Sequence, residues 1–187
     1  MKEQKMNRIT LMMAFTIGLL VNGQTQTLLK LDTSYIRFFS EAPLENIEAV
    51  NRKSSGLINM STNDIALIIP IISFKFDKEL MEEHFNENYM ESSKYKSGSF
   101  KGKLKEKIEW GKDGDYNATA EGVLNIHGVE KKRTIEGKIT IKNGTAHLST
   151  RFMIKVADHD IEIPQVVFMN IAEEVEVTGR LYFVPKK

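Results

Sequence analysis

A chain of 187 residues, 41% apolar and 27% charged, has the length and make-up of one globular domain plus a short extra segment. Its formal charge of +1 gives no electrostatic footprint for nucleic acid. With no cysteine, disulfides, thiolate metal sites and cysteine nucleophiles are excluded, and the core alone must hold the domain together.

In chain order, the first segment is not part of the fold. Lys2, Lys5 and Arg8 make a basic start, and Ile9–Val21 is an apolar run too short to span a bilayer. Val21 and Gly23 then stand before a plausible cleavage point. Residues 1–23 therefore read as a secretory signal peptide cleaved near Gly23, and residues 24–187 as one periplasmic or secreted domain. Cleavage removes three positive charges and one negative charge, which leaves the mature chain formally at −1.

Beyond Gln24 the pattern is mostly β. Leu28–Ser40 reads as a strand, broken by Glu41-Ala42-Pro43-Leu44-Glu45. Glu48–Ser61 reads as the next. Ile65–Phe76 is apolar almost throughout, and Pro70 inside it argues for a bulge, a bend or an edge. Period-2 alternation then gives way to a short helix. Asp77 is placed to cap it, and Leu80, Met81, His84 and Phe85 fall on one face.

Alternation resumes with Phe100, Leu104, Ile108 and Trp110 on one face and Lys101, Lys103, Lys105 and Lys107 on the other. Ala118, Ala120, Leu124 and Ile126 follow, then Ile135, Gly137, Ile139 and Ile141. Asn143-Gly144 is a hairpin signal, since both residues tolerate positive φ. Ala146, Leu148, Phe152, Ile154 and Val156 share a face, and Val175, Val177, Gly179, Leu181 and Phe183 close the chain. About eight strands with short turns predict an all-β antiparallel barrel or sandwich. An eight-stranded barrel is just wide enough to be filled by side chains or to hold one small ligand, and periodicity leaves both open.

Polar chemistry has little support. His84, His127, His147 and His159 show no metal-ligand spacing, and a strand would turn His159 away from Asp158 and Asp160, so no metal site is expected. Asp113-Gly114-Asp115 lacks the other oxygens of a calcium loop and reads as a hairpin turn. No nucleophile elbow or phosphate loop is present, so neither an enzyme nor a cofactor is expected. The lysine stripe could meet anionic headgroups in transient membrane-surface contact. Read more simply, it is a solvated face that discourages edge pairing.

The block from Ser73 to Gly102 resembles the YceI family of lipocalin-like domains associated with polyisoprenoid binding. The matching text is Ser73-Phe74-Lys75-Phe76, Met81-Glu82-Glu83-His84-Phe85-Asn86, Met90-Glu91-Ser92-Ser93-Lys94-Tyr95 and Phe100-Lys101-Gly102. Gly122-Val123-Leu124-Asn125-Ile126-His127-Gly128-Val129 is similar to the family's strand and turn, and the likeness covers most of Leu31–Val184. It implies a lipocalin-like antiparallel barrel with a helical insertion and an apolar tail in the interior. The text departs from the family pattern at Arg37–Pro43 and Arg151–Pro164, which bears on the ligand more than on the fold.

The expected partner is thus an apolar isoprenoid- or lipid-like molecule, carried or sequestered without catalysis. The expected inward set is Phe100, Leu104, Ile108, Leu124, Ile126, Ile139, Phe152, Ile154 and Leu181, with Met81 and Phe85 covering one end. Two other readings stand beside it: an interaction module with a side-chain-filled barrel, and a metal- or redox-linked enzyme.

Overall fold

The computed structural model describes residues 27–165 and 169–186; the expected signal peptide, residues 1–23, lies outside the described residues. Ten strands are present among them: β1 Leu28–Glu41, β2 Asn46–Asn51, β3 Ser55–Asn59, β4 Asp64–Pro70, β5 Phe74–Phe76, β6 Ser97–Leu104, β7 Gly114–Ile126, β8 Val129–Lys142, β9 Thr145–Lys155 and β10 Glu174–Pro185. Neighbours pair in the order β10-β9-β8-β7-β6-β4-β3-β1, and β1 pairs back onto β10. Eight strands therefore close an antiparallel barrel. Closure removes the open edges that such a sheet would otherwise expose. The remaining two, β2 and β5, extend from the upper half of β1.

The long strands follow their alternation. A register shift between Leu31 and Thr33 in β1 changes the phase. Leu29 and Leu31 are buried before it; Ser34, Ile36 and Ser40 are buried after it. One extra residue moves the inward set from odd to even numbers, which a single alternating pattern cannot show. The β7–β8 and β8–β9 hairpins both use two-residue turns with positive φ, His127-Gly128 and Asn143-Gly144. Gly102 and Gly122 face each other across β6 and β7. A Cβ on Gly122 would lie 2.2 Å from the Lys101 carbonyl oxygen, so the two strands approach more closely here than a side chain permits.

Three expected strands have other bounds. Glu48–Ser61 is two strands, interrupted at residues 52–54, and Ile65–Phe76 is likewise split by a 3₁₀ turn at Ile71–Ser73 directly after Pro70. Both breaks meet at Asn51, which is fully buried. Its Nδ2 donates to the Pro70 carbonyl at 2.7 Å, and its Oδ1 accepts from the Lys53 N–H at 2.8 Å and the Ser54 hydroxyl at 3.2 Å. The strand expected to run from Phe100 to Trp110 ends at Leu104. Lys105 and Glu106 still bond to Thr119, but the chain then turns beneath the barrel, and the Trp110 indole N–H donates to Asn63 at 3.0 Å. Lys107 thus leaves the stripe, while Lys103 and Lys105 pair with Asp64 and Glu121.

The helix, α1, spans Glu79–His84 and runs on as a π turn, Phe85–Tyr89. Lys78 rather than Asp77 is its N-cap, without a side-chain cap bond. Glu82 instead reaches back, accepting from the Phe76 N–H at 3.3 Å and pairing with Lys75. Asp113-Gly114-Asp115, expected as a turn, is the entry to β7. Asp115 bonds there to Lys138 and Thr140 of β8.

Candidate functional site

The two ends of the barrel differ. At the end where β1 begins and β10 finishes, Leu29, Leu31, Ile58, Ile139, Ile141, Ala146 and Phe183 are all at most 5% exposed and fill the interior. Toward the opposite end the interior is open, with a cavity of about 500 Å³. Its size and apolar walls fit the range of small-molecule sites.

The strands make this space by parting. The β8–β9 ladder runs only from Lys142 and Thr145 to Gly137 and Thr150. Beyond that point the Thr150 hydroxyl donates to the Glu136 carbonyl, and the Arg133 guanidinium spans the gap to the Met153 carbonyl at 2.5 Å. β4 and β6 part just after Pro70 and Ser97, where the Ile71 N–H makes a last bond to the Lys96 carbonyl at 3.0 Å. The segment after β9 supplies Ile161, Ile163, Asn170 and Ile171 to the cavity from above, and α1 with its π turn supplies Met81, His84, Phe85 and Tyr89. Phe85 knits this cover to the wall. Its ring lies 5.4 Å from Phe38, 5.7 Å from Phe74 and 5.0 Å from Phe76, within the range of favourable aromatic pairs.

Phe100, Leu104, Leu124, Ile126, Phe152, Ile154, Leu181, Met81 and Phe85 all line the cavity. Ile108 and Ile139 do not. Ile108 is buried in the loop beneath the barrel, and Ile139 belongs to the filled end. The expected set also lacked the walls contributed by three strands: Ile36 and Phe38 of β1, Leu67 and Ile69 of β4, and Phe74 and Phe76 of β5. The alternation of Phe74-Lys75-Phe76 was a usable signal. In β4 it was masked, because Ile68 is apolar yet faces outward, half exposed. Leu80, expected on the covering face, is 60% exposed, whereas Met81, His84 and Phe85 face the cavity.

Polar groups in the wall are few, and three of them are tied up, Thr150 by its bond to the Glu136 carbonyl. The Ser40 hydroxyl accepts from the Ala172 N–H at 2.9 Å, and Glu45 pairs with Lys78 at 2.6 Å. Burial raises the Tyr89 phenol above its ordinary range. Among the described residues no three His, Asp or Glu side chains converge on a point.

Two histidines near the cavity act structurally. His127, in the β7–β8 turn, lies 3.0 Å from the Glu91 carboxylate and 3.2 Å from the His159 carbonyl, with its ring against Tyr95. It ties that turn to the segments on either side. His159 lies in a 3₁₀ turn rather than a strand, is 2% exposed, and donates through Nδ1 to the Val129 carbonyl.

Burial holds the His159 imidazole below its ordinary pKa, against the pull of its carbonyl partners. Burial, then the nearby Arg180 charge, does the same to His147, whose ring stacks on Tyr182 and whose Nε2 has no hydrogen-bond partner. Below about pH 6.5 the unfolded chain protonates both histidines while the folded chain resists. Stability is therefore expected to fall as the pH drops through that value and to be retained above it. His147→Phe keeps the stack and removes one titrating group, so urea melts at pH 7.5 and 5.5 should show a smaller acid loss than wild type. An equal loss in both proteins would refute the assignment for His147.

A closed antiparallel barrel, filled at one end and opened at the other into a covered apolar cavity, defines the architectural class. The sequence matches the family model of the YceI-like domain over residues 29–183, and the chain belongs to the YceI family. Solved structures agree on the fold. A polyisoprenoid-binding domain from Saccharophagus degradans aligns with a TM-score of 0.75 at 16% identity, over 86% of this chain and 99% of that one. Burkholderia cenocepacia BcnA aligns at 0.66 and 15% identity, over 80% and 95%. The Campylobacter jejuni YceI protein aligns at 0.56 and 15%, over 72% and 82%. No curated protein matches the chain significantly.

Proposed function

We propose that this protein binds an apolar, isoprenoid- or lipid-like molecule in the open half of its barrel and carries or sequesters it without catalysis. The observation that supports this most is the cavity of about 500 Å³ with apolar walls and a hydrophobic cover, in a member of the YceI family. The Saccharophagus degradans relative, described as polyisoprenoid-binding, supports the same class of ligand. Burying roughly 400 Å² of an apolar tail would contribute about 10 kcal/mol gross at ~25 cal/mol/Å², before ordering costs. No polar chemistry is needed for that. The basic start and apolar run of residues 1–23 support export, and with it a periplasmic or secreted site of action.

The competing reading, an interaction module with a filled barrel, accounts for the closed end and leaves the cavity without a purpose. Organic extraction of the purified mature protein followed by mass spectrometry tests between them. Recovery of an apolar species in near-stoichiometric amount is expected. Absence of any such species, together with no uptake of a long-chain fluorescent probe, would rule the binding reading out.

A further inference from the structure

We propose that the filled half of the barrel limits the ligand to a single hydrocarbon chain on the order of twenty carbons, and that Ile139 and Phe183 form the stop. The inference rests on the binding reading above and adds a size and a mechanism to it.

The size follows from the cavity. An apolar void of about 150 Å³ takes one six-carbon ring, so a space of about 500 Å³ takes on the order of twenty carbons at the same ratio. That corresponds to four isoprene units or one long acyl chain. The stop follows from the strands. Along β10, Val175, Val177, Gly179 and Leu181 face the cavity, whereas Phe183, the next inward residue, is fully buried outside it. Along β9 and β8, Leu148 lines the cavity, and its cross-strand partner Ile139 is fully buried and does not. The change from wall to filling thus falls at one level of the barrel on three neighbouring strands. Beneath it Leu29, Leu31, Ile58 and Ile141 leave no open continuation. At a strand rise of about 3.3 Å and a tilt of about 40°, the wall from Val175 to Leu181 gives a depth of only about 15 Å, shorter than an extended twenty-carbon chain, so a chain that fills the volume is held bent. Close packing below that level means a longer tail cannot advance without displacing core side chains, so its excess remains outside the mouth.

The test is a length series. All-trans prenols of two, three, four, six and eight isoprene units compete against a fixed fluorescent long-chain probe on the purified mature protein, with eicosanol as the unbranched comparison at twenty carbons. Affinity is expected to rise at least about tenfold per unit up to four, as each unit buries further apolar surface. From four to eight units it should change by less than threefold. Ile139→Ala removes three side-chain carbons beside Leu148 and makes room for less than one further unit, so a five-unit prenol added to the series is expected to bind more tightly than the four-unit one in the variant and not in wild type, which is the shift of the plateau. Should that variant fold poorly, Ile139→Val gives a smaller shift in the same direction, and the wild-type series stands by itself. Wild-type affinity that keeps climbing between four and eight units would overturn the limit. A plateau unmoved in a folded Ile139→Ala protein would overturn the assignment of the stop. Absence of binding at every length would instead overturn the binding reading, and this inference with it.

Discussion

Ala120→Phe is expected to lower affinity for a twenty-carbon apolar probe by at least about a hundredfold while leaving the barrel folded. Ala120 sits midway along β7, lines the cavity, and is paired across the sheet with Leu104 of β6. A phenyl ring projected from this position takes up about 150 Å³, close to a third of the open volume and the room of roughly six carbons. At about 0.8 kcal/mol per buried methylene, that is about 5 kcal/mol gross, part of which is regained if the ligand shifts toward the mouth. The fold should tolerate the ring because it enters space already open. Overpacking a filled core costs about 1–3 kcal/mol, and here burial of the ring offsets it. Ile68→Thr on the outer face is the control, since Ile68 is half exposed and absent from the cavity wall. Titration of the probe beside a thermal melt decides the matter. A folded Ala120→Phe protein with wild-type affinity would place the ligand somewhere other than this cavity.

How far the sequence foretold this site depends on the element. The walls contributed by β6, β7, β9 and β10 were legible, because one face of each strand is apolar and the other polar, and Phe100, Leu124, Phe152 and Leu181 all face inward. The wall contributed by β1 and β4 was not. In β1 the bulge at Asp32 shifts the inward phase, so that Phe38 faces the cavity while Leu29 and Leu31 fill the closed end. In β4 both faces are apolar, which hides the alternation. Ile108 was misplaced for a related reason. Its spacing continues the pattern of Phe100 and Leu104, but the strand ladder with β4 stops at Lys103, and the chain bends to close the barrel. No local pattern shows where a strand stops when the next apolar residue remains in phase. The question that periodicity left open, a filled or an open interior, has an answer of both kinds. Large side chains meet at one end; at the other, Gly98, Gly137 and Gly179 with Ala118 and Ala120 leave room. The departures from the family pattern at Arg37–Pro43 and Arg151–Pro164 lie near the open end, where Phe38, Ser40, Phe152, Ile154 and Ile161 line the cavity.

Asn51→Ala should be the most destabilising single change near the site, with an expected loss of about 3–5 kcal/mol and a fall in Tm of about 10 °C. Asn51 has no access to solvent and satisfies three partners at once: the Pro70 carbonyl, the Lys53 N–H and the Ser54 hydroxyl. Ser54 in turn donates its N–H to the Ser34 hydroxyl of β1 at 3.2 Å. These bonds fasten the two places where the chain leaves the barrel ladder, between β2 and β3 and between β4 and β5. Alanine takes the partner from the part-buried Pro70 carbonyl and Lys53 N–H, at up to about 1–3 kcal/mol for each group left unsatisfied, and adds a small void at a fully buried position. Asn51→Asp separates the two halves of the role. A carboxylate keeps both acceptor bonds, but it faces the Pro70 carbonyl with no donor, so it should also destabilise. Because β5 carries Phe74 and Phe76, which pack against Phe38 and Phe85, loosening this joint should weaken probe binding as well as stability. Urea melts with the probe absent and present separate the two effects. An Asn51→Ala protein that melts within about 2 °C of wild type, well inside the shift expected for a lost buried network, would show that the two bends hold without the latch.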